Sequence, residues 1–208
     1  AICKKWKLCL IEDAAESLGS LYKQKHTGTM GDYGVLSFNG NKIITTGGGG
    51  MVLCSSNEVG EKVKHMTTTA KVPHDYEFFH DVAGFNYRMP NINAALGCAQ
   101  IESIGDFLKK KRKRAMTYKD CFSDKEYIFV DEPEGAASNF WLNAVICPSK
   151  KARDELLVKT NDSGVMTRPV WTLMSRLPMY QDCVKGDLRR AVRLEQRLVN
   201  LPSSSLDI

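Results

Sequence analysis

Nowhere in the 208 residues do eighteen apolar side chains run together, so no membrane-spanning helix and no membrane partner are expected. The opening A-I-C-K-K-W-K has no signal-peptide core either, which points to a cytoplasmic protein. Histidine is scarce. His26, His65, His74 and His80 are the only four, none has a partner at H-x-x-x-H spacing, and structural roles without a metal are expected. The seven cysteines are odd in number and include no C-x-x-C pair, the pattern of reduced thiols that serve mostly as small core residues. The run Gly47-Gly48-Gly49-Gly50 lacks the G-K-[ST] ending of a nucleotide phosphate loop, because Met51 follows it. A broad basic surface is missing too. Setting aside K-K-K-R-K-R at 109–114 leaves 23 basic against 24 acidic residues, so no nucleic-acid partner is expected and the run reads as a solvated helical face.

What is present is the composition of an ordinary globular chain, 43% hydrophobic and 25% charged, enough for one sizeable core or a domain and a half. Short apolar runs at 8–11 and 33–36 predict buried strands, the first with both faces covered, and the run at 51–54 predicts another strand. Residues 14–18 admit a short helix capped by Asp13, and 24–25 a tight hairpin turn. Helices are predicted at 58–68 and from Pro90 onward, the second with Ile92, Ala95, Leu96, Ala99, Ile104, Phe107 and Leu108 on its apolar face and the basic run as its continuation. From Tyr127 the pattern changes to a smaller α/β alternation, with strands at 141–146 and 165–166 and helices at 150–160 and 188–198. Two domains are expected, 1–108 and 109–208.

The most informative stretch is S-F-N-G-N-K-I-I-T-T-G-G-G-G at 37–50. It places one hydroxyl and one amine in a turn between a strand and a glycine run, with apolar Ile43 and Ile44 beside the amine. A desolvated lysine has a lowered pKa, and its free amine attacks carbonyls. Pyridoxal phosphate is the natural cofactor for such a Lys42. Ser37, at the end of a strand, is a candidate for its phosphate. Asp13, at the end of the 8–11 run, stands where ligands gather in an open α/β sheet and is a candidate for the pyridine nitrogen.

The blocks E-D-A-A-E-S-L-G-S (12–20), G-D-Y-G-V-L-S-F-N-G-N-K (31–42), the glycine run, and G-F-N-Y-R-M-P-N-I-N-A-A-L-G-C-A-Q (84–100) resemble the DegT/DnrJ/EryC1/StrS family of sugar aminotransferases. Within it, T-T-T-A-K-V-P-H (67–74) and G-V-M-T-R-P-V-W (164–171) are most similar to the legionaminic-acid and bacillosamine type. The resemblance implies a pyridoxal-phosphate transferase of fold type I, the aspartate-aminotransferase kind, as an α/β chain truncated at its amino end and followed by a small α/β domain. It implies transamination of the 4-keto carbon of a nucleotide-linked 2-acetamido-2,6-dideoxy sugar, with L-glutamate as donor. Lys42 would be catalytic, Asp13, Glu16 and Ser37 would hold the cofactor, and Asn86 would reach the phosphate of the neighbouring subunit in a homodimer with shared sites. Arg88, Arg168 and Trp171 become the sugar-nucleotide candidates, an arginine for phosphate and an indole for a ring face. A second phosphate-binding loop and the ring-stacking aromatic would lie in the missing part.

Two other readings remain open. A dehydratase of the same family has histidine in place of the lysine, and Lys42 argues against it. A binding module that keeps the fold but cannot complete a cofactor site is the alternative from another class.

Overall fold

The computed structural model describes residues 2–123 and 126–204, which form two compact units. Of these, the first comprises residues 2–107 with 134–139, and the second 108–123 and 126–133 with 140–204.

A three-stranded sheet organises the first unit, in the order Ile11–Asp13, Tyr33–Ser37, Gly50–Cys54. Ile11–Asp13 runs parallel to the central strand with Asp13 opposite Val35, whereas Gly50–Cys54 is antiparallel and pairs Gly50 with Ser37. Parallel strands need a crossover connection rather than a tight turn. Residues 14–32 provide it, and the turn 38–49, which carries Lys42, joins the antiparallel pair. A core of Ala14, Leu36, Phe38 and Ile44 lies against this sheet, with Leu18, Ile43, Leu53, Met89, Ile104 and Phe107 packed around it.

The first strand departs from expectation. It covers Ile11–Asp13 rather than 8–11, Leu8 and Leu10 precede it, and Ile11 is exposed. Having a neighbour along one edge only among the described residues, it cannot be covered as a central strand would be. Residues 14–18 form turns instead of a helix, because the Asp13 carboxylate accepts the amide of Ala15 (3.1 Å) and the Ala14 carbonyl accepts that of Ser17. Beyond lies a hairpin of Leu21–Tyr22 and Lys25–His26. Its two-residue turn, Lys23-Gln24, has φ of 48° and 65° at residues that carry a Cβ.

The helix expected from 58 covers Asn57–Thr67 and is capped by the Ser56 hydroxyl, which accepts the Val59 amide. The helix beginning at Asn91 ends at Glu102, and after Ser103 a second one covers Ile104–Phe122. The predicted continuous apolar face is therefore interrupted. Its first half is not buried: Ile92 is 86% exposed, and Leu96 is exposed too.

In the second unit a four-stranded antiparallel sheet has the order Arg168–Pro169, Leu198–Leu201, Asn143–Ile146, Ile128–Phe129. Val145, Cys147, Val199 and Leu201 form its core, with Tyr118, Phe122 and Leu156 against them. The helix Lys150–Asp162 matches expectation, whereas the strand predicted at 165–166 is absent. The Val165 amide closes the end of that helix on the Thr160 carbonyl, next to Gly164 at φ 77°. The helix expected over 188–198 is shorter, Arg189–Glu195, and Leu198 opens a strand.

The basic run is not uniformly solvated. Lys111 is 5% exposed, and its ammonium donates to the carbonyls of Trp141 (3.3 Å) and Ser203. Helical spacing puts Lys111 on the same side as Ala115 and Tyr118, which faces the core of this unit. Burial, with the neighbouring charge of Arg114, lowers the Lys111 pKa to about 8. Arg112 instead makes a two-pronged contact with Glu132 (2.9 and 2.8 Å) over the Phe140 ring. The expectation of mainly buried cysteines is also corrected. Cys147 is buried, Cys3 and Cys54 are partly so, and Cys9, Cys98, Cys121 and Cys183 are exposed. No helix among the described residues is long and apolar enough to cross a membrane.

Candidate active site

Asp13 and Ser37 end two adjacent parallel strands. Because Asp13 pairs with Val35, and side chains alternate along a strand, Asp13, Val35 and Ser37 project from the same face. A carboxylate and a hydroxyl thus share one face at the carboxyl edge of the parallel pair, where ligands of open α/β sheets bind. The chain then turns through 38–49 and returns as Gly50–Cys54. Within that turn Lys42 donates its amide to the Asn39 carbonyl (3.1 Å), while its side chain is only 12% exposed and its amine is paired with the Glu16 carboxylate. The structure brings Lys42 and Glu16 together, although 26 residues separate them in sequence.

Three supports for this arrangement carried no signal as site residues. Asn139, buried, donates its side-chain amide to the carbonyls of Glu16 (2.8 Å) and Leu18 (2.9 Å), fixing the turn that presents Glu16. Glu12 accepts the amides of Gly28, Met30 and Gly31, stitching the crossover loop to the strand that ends in Asp13. Burial pushes the Glu12 carboxyl up, but these amides, with the nearby His26, more than reverse it and hold it below the ordinary glutamate value. Gly34 completes the junction. A Cβ there would lie 1.9 Å from the Gly28 carbonyl oxygen, so the crossover loop passes where only glycine fits.

The glycine turn is docked onto the helix Asn91–Glu102. The Thr45 amide donates to Gln100 Oε1 (2.9 Å), Asn93 donates to the Thr46 carbonyl (2.5 Å), and Thr46 is fully buried. Asn86 and Arg88, both exposed, line a groove with Gly48, Gly49, Gly50 and Asn93. Asn86 bridges to Thr68, and the loop before it is held by His65, whose Nε2 lies 2.6 Å from Asp81 Oδ1. The rings of His26, His74 and His80 are engaged by backbone groups. Among the described residues no group of three or more His, Cys, Asp or Glu is arranged to hold a metal ion.

Arg168 and Trp171 belong to the second unit. The Arg168 guanidinium donates to Asn161 Oδ1 (3.1 Å) and the Thr167 carbonyl (3.0 Å), and Trp171 stacks on Trp141 with centroids 6.4 Å apart.

This fold is that of the type I pyridoxal-phosphate transferases. PseC of Helicobacter pylori, an aminotransferase involved in the biosynthesis of pseudaminic acid, superposes with a TM-score of 0.90 over 98% of this chain and 56% of its own, at 24% identity. The chain belongs to the DegT/DnrJ/EryC1/StrS aminotransferase family, which matches residues 1–206. It is 37% identical over 202 residues to GDP-perosamine synthase of Escherichia coli O157:H7, covering 97% of this chain and 55% of that one. It is also 34% identical over 181 residues to EpsN of Bacillus subtilis (strain 168), which is named as a pyridoxal phosphate-dependent aminotransferase, covering 86% of this chain and 46% of EpsN. The chain therefore spans about half the length of these relatives.

The residues present fit the family's cofactor. A shielded primary amine, a carboxylate and a hydroxyl on the face that Asp13 and Ser37 share are the donor set that the aldehyde, the pyridine nitrogen and the phosphate of pyridoxal phosphate require.

Proposed function

We propose that the protein containing this chain transfers an amino group to the 4-keto carbon of a nucleotide-linked 2-acetamido-2,6-dideoxy sugar, with glutamate as donor, in a cytoplasmic pathway of surface amino-sugar synthesis. The observation that carries this reading is the shielded Lys42 amine beside Glu16, in the turn that follows the strand end at Ser37.

Pyridoxal phosphate, when bound, supplies the electron-withdrawing ring that makes proton removal from an amino-acid α-carbon feasible. Lys42 is the covalent anchor for it and then, as a free amine, the general base and acid that carries the proton between substrate atoms. Asp13 holds a proton on the pyridine nitrogen by opposing its positive charge. Ser37 donates to the phosphate, and Asn86 of a second subunit completes that anchor in a homodimer with shared sites. Glu16 receives the lysine ammonium when the anchor is open, which keeps a charged amine from drifting out of the site.

Arg88, Arg168 and Trp171 are assigned to the nucleotide-sugar, the arginines to its phosphates and the indole to a ring face. The acetamido assignment rests on the 67–74 and 164–171 blocks. A second reading, a GDP-linked sugar, is favoured by the 37% identity to a protein named GDP-perosamine synthase.

The test is to supply pyridoxal phosphate, reduce with borohydride, digest, and locate the modified peptide. Label on Lys42, lost in Lys42→Ala, supports the cofactor chemistry, and turnover of glutamate with UDP- and GDP-linked 4-keto sugars then separates the two substrates. Absence of label from this chain and from a longer version carrying the amino-terminal part contradicts the proposal.

A further inference from the structure

We infer that Gln100 is a positioning residue for Lys42, acting through the turn 42–49 rather than by touching any reactant. This rests on the proposed role of Lys42, and it assigns to the helix Asn91–Glu102 the task of fixing the turn that carries the amine.

The turn contributes little regular structure to hold itself in place. Gly47 and Gly49 have φ of 80° and 96°, conformations that glycine adopts freely, and no helix or strand is assigned between Ser37 and Gly50. The Thr46 amide is tied to the Phe38 carbonyl (3.0 Å) and the Phe38 amide to that of Gly49 (2.9 Å), and the remaining fixed points are side chains. Thr45 is held by its amide on Gln100 Oε1 (2.9 Å) and by its hydroxyl on the Phe38 carbonyl (3.0 Å). Thr46 is held by Asn93 on its carbonyl and by close packing, since a Cβ on Gly97 would come within 2.9 Å of its Cγ2. Gln100 lies 55 residues away in sequence and two turns of helix beyond Asn93, so the pair grips two successive residues of the turn from one face. Thr45 is three residues from Lys42, with Ile43 and Ile44 between them in the core cluster. Loss of the Gln100 contact removes one of the ties at the end of that short segment and widens the positions the amine visits.

In this contact Gln100 uses its oxygen, as an acceptor. A carboxylate of the same shape preserves the contact and an isosteric hydrocarbon does not. Gln100→Glu and Gln100→Leu are therefore the informative pair.

Two readouts test this. The first is hydrogen exchange at the Thr45 amide in protein without added cofactor. Gln100→Leu should speed it about fivefold or more, as expected for one lost hydrogen bond, and Gln100→Glu should leave it near wild type. Unchanged exchange in Gln100→Leu, or equal acceleration in both variants, overturns the inference. The second is the yield of borohydride-trapped pyridoxal phosphate on Lys42, expected to fall about fivefold in Gln100→Leu and to recover in Gln100→Glu. Wild type and Gln100→Leu labelled equally overturns the positioning role while the proposed function stands. A wild type that takes no label on Lys42, either as this chain or in a longer version carrying the amino-terminal part, contradicts the proposed function itself, and with it the role assigned to Gln100.

Discussion

The amine of Lys42 is held by the carboxylate of Glu16, 26 positions earlier in the sequence, at the start of the crossover between two parallel strands. The contact joins the turn after one strand to the turn after its neighbour. The lysine is thus fixed from two sides, by its own backbone turn and by Glu16, whose position depends on Asn139.

Asn139→Ala should loosen the Glu16 turn. Two carbonyls lose their donor at a buried position, and a cost of about 2–3 kcal/mol is expected. Urea denaturation measures it, and Asn139→Asp, which keeps the volume but removes both amide donors, should be as damaging.

How much of this was legible in the sequence depended on where each signal lay. The Lys42 turn and the strands flanking it were readable because residue chemistry and local apolar runs sit in one continuous stretch. The 33–36 run fell within the strand Tyr33–Ser37, and 51–54 within Gly50–Cys54. Contacts made across the fold left no such trace. Nothing near Gln100 or Asn139 announces that their partners are Thr45 and Glu16. The 8–11 run misled because hydrophobicity reports what could be buried, and Ile11 is exposed here. Lys111 misled in the opposite sense. Six consecutive cations look solvated on a helix, yet helical periodicity turns one of them inward to find carbonyl partners. Leu198 was read as a helix end because the four residues of the strand it opens, Leu198–Leu201, are too few to show an alternation by themselves.

Lys111 predicts a pH dependence. Its folded pKa, about 8, is below the ordinary 10.5. Between those values the unfolded chain binds more protons than the folded one, so stability rises as pH is raised from about 8 towards 10.5 and is at its lower level below that window. Lys111→Met should flatten this part of the profile while leaving the carbonyls of Trp141 and Ser203 without their donor. Denaturant midpoints at pH 7.5, 9 and 10 for both proteins check it.

At Gly34 the loop leaves no room for a methyl group. Gly34→Ala places a Cβ 1.9 Å from a carbonyl oxygen, so the crossover loop or the strand must move, and a loss of about 3 kcal/mol or more is expected. Gly40→Ala, where the structure has open space, is the control and should be close to neutral.

The Lys23-Gln24 turn offers a gain. Both residues have positive φ, so Lys23→Asn combined with Gln24→Gly replaces a strained pair by the one this turn favours. Relief of the left-handed strain, less the added flexibility of glycine when unfolded, should stabilise by about 0.5–1 kcal/mol, read as a higher denaturation midpoint.

The most direct measurement of the central claim is the mass of the peptide containing residue 42 after exposure to pyridoxal phosphate and borohydride. The account predicts the reduced cofactor adduct on Lys42 and on no other lysine in comparable yield, Lys111 included. An adduct spread over surface lysines at similar yields, or Lys42 unmodified in a version carrying the amino-terminal part, would contradict it.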